Sequence, residues 1–362
     1  GEGVFQHSSD SRIFTFDKGQ FQAWGKVGFG IRANDHMDSV YNNYGVRYTR
    51  LYCDGKLVFS SDVNNIPVSC NRMVNSWGDY DHFLHTKIWF MKSFIEPGNT
   101  LPILRAGADR GIINFNQQRD YHLRYVVSDA FGNQTVKEFT VHGEPQAIPS
   151  VAKPEGGVPL YCKKDNRINA DGVRLNIQKG LLAKDGWLLM RTVPMGNALS
   201  MGYSFSKAPY PLFNYAEINI KAKDGIRNPE KLYIAARNSA AGGGPSAYCG
   251  GIYTNGWVKG RFRELSDIYF LTSDETAPLI TKMNLDPRHL FFKITDSGSG
   301  LKAYQASVDG EFILLEFGKN KEVFFCDLTE TPVQRTGKER TLKVSAVDNR
   351  DNRREFVTKI KY

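Results

Sequence analysis

Short runs of apolar and β-branched residues recur along the chain and are separated by Gly, Asn and Asp. Apolar and polar positions alternate within many of these runs, which is typical of strands that bury one face. In the first part of the chain the predicted strands cover 14–16, 29–31, 46–52, 57–59, 123–127 and 136–141. The pattern predicts an all-β fold.

One stretch departs from this alternation. Between 79 and 95 the apolar residues follow a broadly helical spacing, which predicts a single helix inserted in the first β domain. Pro97 and Gly98 are typical of the end of a helix. The apolar positions are Phe83, Leu84, Ile88, Phe90, Met91, Phe94 and Ile95.

Two Asp-Gly pairs, 54–55 and 309–310, predict tight hairpins because both turn positions favour a positive φ. The order around them repeats: strand, Asp, loop, Gly, strand, Asp-Gly, strand. Each copy closes with a late Asp that is followed four residues later by Asn, at Asp129 and Asn133 and at Asp348 and Asn352. The repeat predicts two immunoglobulin-like β-sandwiches, one at each end of the chain.

Two stretches with the composition of linkers or turns predict the domain boundaries. Residues 143–157 are rich in Pro and Gly, as expected of a linker, and 274–278 directly precede the last repeat. We therefore expect a β-sandwich with the helical insertion over 1–145, a middle β domain over 146–273 and an immunoglobulin-like sandwich over 274–362.

Composition narrows the class of protein. Hydrophobic residues make up 41% of the 362 residues, which excludes a globally disordered chain. With 47 Lys and Arg against 38 Asp and Glu, the net charge is +9. The densest basic stretch is Lys259, Arg261 and Arg263, and no recognition-helix pattern accompanies it, so we expect no nucleic-acid partner. No uncharged apolar run reaches the length of a membrane span, so we expect no transmembrane segment.

The five cysteines form no CxxC pair, which disfavours zinc ribbons and thioredoxin-type sites. They are Cys53, Cys70, Cys162, Cys249 and Cys326. Burial of all five as small apolar side chains is one interpretation. Pairing of Cys53 with Cys70 is another, and the sequence leaves both open.

Two groups of residues are weak metal-site candidates. His82 and His85 are three residues apart on the predicted helix and could share a face, although an ordinary polar helix face is the simpler interpretation. Asp35 and Asp38 could gather oxygens around a cation in a sandwich loop, although Asp in such loops commonly caps backbone N–H groups. The sequence assigns no catalytic residue.

Other chemistry is poorly supported. No GxSxG motif occurs, and the glycines of 25–30 fit neither a Walker motif nor a dinucleotide fingerprint. Exposed aromatic residues could form a glycan platform, although tryptophan in a β-sandwich is more often core. The tryptophans are Trp24, Trp77, Trp89, Trp187 and Trp257, and a tyrosine cluster comprises Tyr41, Tyr44, Tyr48 and Tyr52.

Several longer stretches resemble the region that follows the catalytic domain in bacterial M23-family (lysostaphin/LytM-like) zinc metallopeptidases. They are 24–35, 43–47, 89–94, 96–99, 119–121, 129–133, 250–253, 256–257 and 274–278. The resemblance covers nearly the whole chain and implies an envelope or periplasmic protein. It is specific to this accessory region and does not extend to the peptidase fold.

M23 peptidases bind zinc through HxxxD and HxH motifs, and this sequence contains neither. The resemblance therefore implies zinc only in an upstream catalytic domain, with no cofactor in this chain. The chain starts at Gly1 without Met or an apolar signal region, so we expect that an upstream segment has been removed.

Three functional hypotheses follow. The first is a non-catalytic accessory region that positions a peptidase or docks on peptidoglycan or an envelope partner. The second is a stand-alone secreted module that binds a glycan or a protein. The third is an enzyme that uses scattered carboxylates or a metal at His82 and His85.

Overall fold

A computed structural model describes residues 2–7, 10–15, 20–36, 41–148, 153–238, 246–285, 288–317 and 322–362. Strands account for 51% of the chain and helices for 7%. The predicted fold class, immunoglobulin-like β domains in series, is confirmed. The prediction of one helix inserted in the first domain is wrong in number, because two short α-helices and a 3₁₀ helix lie there.

The first domain is a sandwich of two sheets, with strand orders β11-β4-β1-β2 and β10-β8-β7-β12-β13-β3. β9 also pairs with β4, and β5 pairs with β6. Its strands are β1 (Glu2–His7), β2 (Asp10–Thr15), β3 (Gln20–Ala23), β4 (Gly25–Arg32), β5 (Asp35–His36), β6 (Asn43–Tyr44), β7 (Tyr48–Cys53), β8 (Lys56–Asp62), β9 (Met91–Lys92), β10 (Leu104–Ala106), β11 (Ile113–Phe115), β12 (Asp120–Ser128) and β13 (Gln134–Gly143).

The core between these sheets is aromatic. Phe29, Phe115 and Tyr125 are fully buried, and the Phe29 and Phe115 rings meet edge to face at 6.1 Å. The Tyr125 hydroxyl donates to Ser93 Oγ at 2.8 Å, so the one polar atom of this ring is satisfied.

The predicted helix over 79–95 is wrong in extent. Helix α2 spans Tyr80–Thr86, begins at an Asp79 carboxylate that accepts from the backbone N–H of His82, and ends at Lys87 with a φ of 62°. The apolar residues beyond it lie in irregular chain and in the two-residue strand Met91–Lys92, which their spacing alone did not distinguish from a helix. Helix α1 (Val74–Trp77) and a 3₁₀ helix (Val68–Met73) precede α2.

The middle domain packs two five-stranded sheets, β15-β16-β20-β24-β23 and β18-β19-β25-β21-β22, around Phe205, Phe262 and Tyr269. Its strands are β14 (Val158–Leu160), β15 (Asn166–Ala170), β16 (Val173–Ile177), β17 (Gly186–Leu188), β18 (Arg191–Val193), β19 (Gly202–Ser204), β20 (Pro211–Lys221), β21 (Leu232–Arg237), β22 (Ala247–Tyr248), β23 (Ile252–Thr254), β24 (Trp257–Glu264) and β25 (Ile268–Ser273). A 3₁₀ helix covers Pro229–Lys231, and β14 pairs with β17.

The third domain packs two four-stranded sheets, β26-β27-β31-β30 and β29-β28-β32-β33, around Phe292, Leu342 and Val344. Its strands are β26 (Leu279–Leu285), β27 (His289–Thr295), β28 (Leu301–Val308), β29 (Glu311–Ile313), β30 (Glu316–Phe317), β31 (Val323–Asp327), β32 (Glu339–Asp348) and β33 (Arg353–Lys361). A 3₁₀ helix covers Leu328–Glu330.

Both predicted Asp-Gly turns close hairpins, between β7 and β8 and between β28 and β29. The φ angles are 49° and 76° at residues 54 and 55, and 49° and 88° at residues 309 and 310. Positive φ at both positions matches the twist of the flanking strands.

The first and middle domains touch along a short seam. The Gly98 N–H donates to the Ala183 carbonyl at 2.6 Å, and Lys184 Nζ lies 3.7 Å from the buried Glu96 carboxylate. Arg72 Nε donates to the Leu212 carbonyl at 3.0 Å. These contacts join the 3₁₀ helix that contains Arg72 and the chain at 96–98 to the middle domain.

Candidate functional site

A cleft of about 450 Å³ lies between the first and middle domains. One wall is the outer face of β20 and β24, and the other carries the 3₁₀ helix that ends at Met73 together with α2. The helical insertion therefore forms one side of this cleft, which we call the junction cleft.

The strand alternation of β24 aligns three cations on one face. Val258 and Phe262 point into the core and are fully buried, while Lys259, Arg261 and Arg263 lie on the opposite face. The sequence singled out this basic stretch but gave no reason to place it in a cleft. The fold supplies that reason, because the outer face of β24 looks toward α2.

Tyr215 on β20 lies between two of these cations. The guanidinium carbon of Arg263 is 4.1 Å from the centre of its ring, and that of Arg261 is 4.9 Å away. The Tyr215 side chain keeps 42% of its surface exposed. Stacking orients both arginines, and their N–H groups donate no side-chain hydrogen bond within the described residues.

The opposite wall adds Arg72, Tyr80 and Lys87. Across the described part of the chain, no carboxylate lies within ion-pair distance of Arg72, Arg261 or Arg263, whereas Lys259 pairs with Glu217 at 2.5 Å. Guanidinium groups without a carboxylate partner favour the binding of an anion, in particular a carboxylate or a phosphate.

Glu264 closes the inner end of the cleft. Burial raises the pKa of its carboxyl to about 7, although the N–H groups of Tyr210 and Ser266 donate to it. Burial and the nearby Glu264 charge also raise the pKa of Tyr80. Near neutral pH this carboxyl is therefore partly protonated and offsets the cations of the cleft only in part.

The two histidines that the sequence offered as metal ligands lie in different surroundings. The His82 ring packs 5.3 Å from that of Phe90, while His85 is exposed and its Nδ1 lies 2.8 Å from the Asp81 carbonyl. Among the described residues neither belongs to a group of three metal-ligating side chains.

The loop candidate is only partly described. Asp35 lines a cavity of about 280 Å³ with Asp129 and Asn133, and its carboxylate accepts from the His36 N–H at 2.9 Å. Asp38 lies outside the described residues.

The tryptophans form no common platform. Trp77 is buried and donates to the Lys92 carbonyl at 3.0 Å, and the other four are half-buried. Arg174 stacks on Trp257 at 3.9 Å. The exposed aromatic residue of the junction cleft is Tyr215, which the sequence did not single out for this role.

The tyrosine cluster is distributed along an edge of the first domain. Tyr41 is fully exposed, Tyr44 is 39% exposed, and Tyr48 and Tyr52 lie on the face of β7 opposite the buried Leu51. Arg124 stacks on Tyr52 at 4.6 Å.

All five cysteines are free thiols. Burial raises the pKa of Cys53 to about 11 and that of Cys249 to about 12, so neither supplies a thiolate at neutral pH.

One family model is similar to the middle domain. A family model described as a Zu5-like domain matches residues 158–274, which is about a third of the chain. A search of curated proteins finds no match. No helix among the described residues has both the length and the apolarity needed to cross a bilayer.

Three solved structures are similar at 10% sequence identity and a TM-score of 0.16. They are fibronectin(III)-like modules of Clostridium thermocellum CbhA, a 1.5-MDa bacterial ice-binding adhesin and a Ca²⁺-stabilised adhesin of an Antarctic bacterium. The aligned parts cover 94%, 95% and 100% of this chain and 87%, 93% and 98% of those chains. At this TM-score the three structures carry no argument about function.

Proposed function

We propose that this chain is the non-catalytic accessory region of an M23-like cell-wall peptidase and that it docks on peptidoglycan through the junction cleft. In this proposal the protein works in the periplasm or cell envelope. Zinc belongs to an upstream catalytic domain, and no residue of this chain has a catalytic role.

The observation that carries the docking part is the set of guanidinium groups that have no carboxylate partner among the described residues and lie beside the exposed Tyr215. Peptidoglycan contains peptides that carry carboxylates. Arg261 and Arg263 match these carboxylates, and Tyr215, stacked between the two guanidinium groups, orients both. The +9 net charge supports attraction to an anionic envelope.

The peptidase part rests on the sequence resemblance alone. It is tested by sequencing the natural coding region upstream of Gly1. HxxxD and HxH motifs there support the accessory role, and their absence favours the alternative, a stand-alone secreted module that binds a glycan or a protein.

Docking is tested by co-sedimentation of the chain with purified peptidoglycan. The double variant Arg261→Ala and Arg263→Ala is expected to bind at least tenfold more weakly, because it loses two charge-assisted contacts. Binding by the native chain is expected to weaken as salt rises.

The matched control is Arg124→Ala, which removes an arginine stacked on a tyrosine outside the cleft. Native binding by this variant supports the proposed site. Equal loss in both variants would mean that general positive charge, and not the junction cleft, holds the polymer.

A further inference from the structure

Three carboxylates meet where the middle and third domains join. Asp274 follows β25, Asp296 follows β27, and Asp348 ends β32. One oxygen from each lies within 4.8 Å of the others. We call this group the junction acids.

The junction acids are held in place by backbone N–H groups. Asp274 accepts from Thr276 and Ser299, Asp296 from Gly298 and Gly300, and Asp348 from Arg350 and Asn352, at 2.7–3.0 Å. Asp348 is fully buried and Asp274 is 4% exposed. Asp274 and Asp348 are therefore held away from bulk water, whereas Asp296 is half-buried.

No cationic side chain of the described ranges lies within ion-pair distance of these acids. The nearby Lys231 donates instead to the Arg350 carbonyl at 2.7 Å and to Asn352 Oδ1 at 2.6 Å. Arg350 donates to backbone carbonyls of the middle domain. Buried carboxylates without a counter-charge are costly, so a bound cation would stabilise the junction.

The hydroxyl of Ser299 is a separate sign of a ligand. Ser299 is 2% exposed and, within the described part of the protein, its Oγ has no hydrogen-bond partner. The backbone N–H of Ser299 donates to the Asp274 carboxylate at 2.7 Å, so this residue lies beside the junction acids. Buried hydroxyls in folded proteins almost always have a partner, so a ligand bound at this point would satisfy the hydroxyl.

Gly298 permits this convergence. A Cβ at this position would lie 2.4 Å from the Asp274 carboxylate, so any other residue would displace it. The site is therefore built from a glycine, three acids and a serine contributed by both sides of the junction.

We propose that the junction acids bind a divalent cation, Ca²⁺, and that Ser299 contributes to the site. Calcium takes carboxylate and other oxygen ligands at about 2.3–2.6 Å in irregular arrangements, so oxygens on one ion lie at most about 5 Å apart. The ion ties the end of the middle domain to two turns of the third. This inference is independent of peptidoglycan docking.

The test is calorimetric titration of the chelator-treated full chain with CaCl₂. We expect one ion per chain with a Kd of about 10⁻⁵ to 10⁻³ M. Saturation is expected to raise the Tm of the third domain by about 5 °C. MgCl₂ is titrated in parallel, and tighter binding of Mg²⁺ than Ca²⁺ would overturn the assignment of calcium.

Asp296→Asn is the informative variant because an amide oxygen can still accept from Gly298 and Gly300 while the charge is lost. It is expected to weaken Ca²⁺ binding at least tenfold. Ser299→Ala removes only the unpartnered hydroxyl and is expected to weaken binding severalfold. Circular dichroism checks that both variants fold.

The matched control is Asp129→Asn, in the corresponding turn of the first domain, and it is expected to bind Ca²⁺ as the native chain does. The proposal is overturned if 10 mM Ca²⁺ gives neither heat nor a Tm shift. It is equally overturned if folded Asp296→Asn keeps native affinity.

Discussion

The junction between the first and middle domains and the junction between the middle and third domains differ in how tightly they pack and in the charge of their side chains. The first leaves a cleft in which Arg72, Arg261 and Arg263 face solvent without carboxylate partners among the described residues. The second is closed by Arg350, which donates to the carbonyls of Leu232 at 2.8 Å and Gly251 at 2.5 Å, and it buries carboxylates without cations. Opposite charge excesses at the two places suit opposite ligands, an anion at the first and a cation at the second.

The same Asp turn occurs in the first and third domains, and its two copies differ mainly in the residue at the tip. Asp129 accepts from the N–H groups of residues 131 and 133 at 2.8 and 2.9 Å, and Asp348 accepts from those of 350 and 352 at 2.7 and 2.9 Å. The turn is thus one local unit used twice. Phe131 at its tip is 94% exposed, whereas Arg350 at the same place enters the middle domain.

Among the substitutions that test the difference between the two junctions, Arg350→Ala is expected to have the largest effect on stability. It removes charged donors from the carbonyls of Glu230, Leu232 and Gly251 and leaves them with fewer partners. We expect the coupling between the middle and third domains to fall by about 3–5 kcal/mol. Calorimetric unfolding is expected to split into separate transitions for the two domains.

The control for this variant is Phe131→Ala, at the matching tip in the first domain. A change within about 0.5 kcal/mol is expected there because the side chain is exposed. If both variants had the same effect, the difference between the two turns would lie elsewhere than in the tip residue.

Much of the architecture could be predicted from local patterns, and the sites could not. Asp54 and Asp309 predicted their hairpins because a turn depends on a few adjacent residues. Asp348 was visible as part of a repeat, but its approach to Asp274 depends on long-range packing. The predicted helix was too long because Phe90 and Met91, although buried, lie outside the helix, and Met91 belongs to β9, which pairs with β4.

The first junction is expected to respond to pH through Glu264. Burial raises the pKa of this carboxyl from 4.5 to about 7, so folding favours its protonated form. Its contribution to stability is therefore full below about pH 4.5 and is lost as the pH rises through 7. The loss amounts to about 3 kcal/mol by neutral to mildly alkaline pH. Urea unfolding between pH 4 and 8 measures it, and Glu264→Gln is expected to abolish this component.

Glu217→Gln is the control with the opposite sign. The hydrogen bond from Lys259 lowers the pKa of Glu217, so its contribution is present above about pH 4.5 and is lost as the pH falls. A native pH profile in Glu264→Gln would show that this carboxyl is not the buried acid of the first junction.

Gly98→Ala tests whether the edge of the first junction is packed as tightly as the second junction. A Cβ at Gly98 would lie 2.0 Å from the Leu182 carbonyl oxygen, a backbone atom that cannot rotate away. We expect a loss of about 2 kcal/mol in unfolding free energy, because the seam that includes the Gly98–Ala183 hydrogen bond must shift. Gly107→Ala, where nothing lies within 4 Å, is expected to change little. Because the seam sets the spacing between the cleft walls, Gly98→Ala is also expected to weaken peptidoglycan binding. If Gly98→Ala and Gly107→Ala had the same unfolding free energy, the cleft walls would be joined loosely.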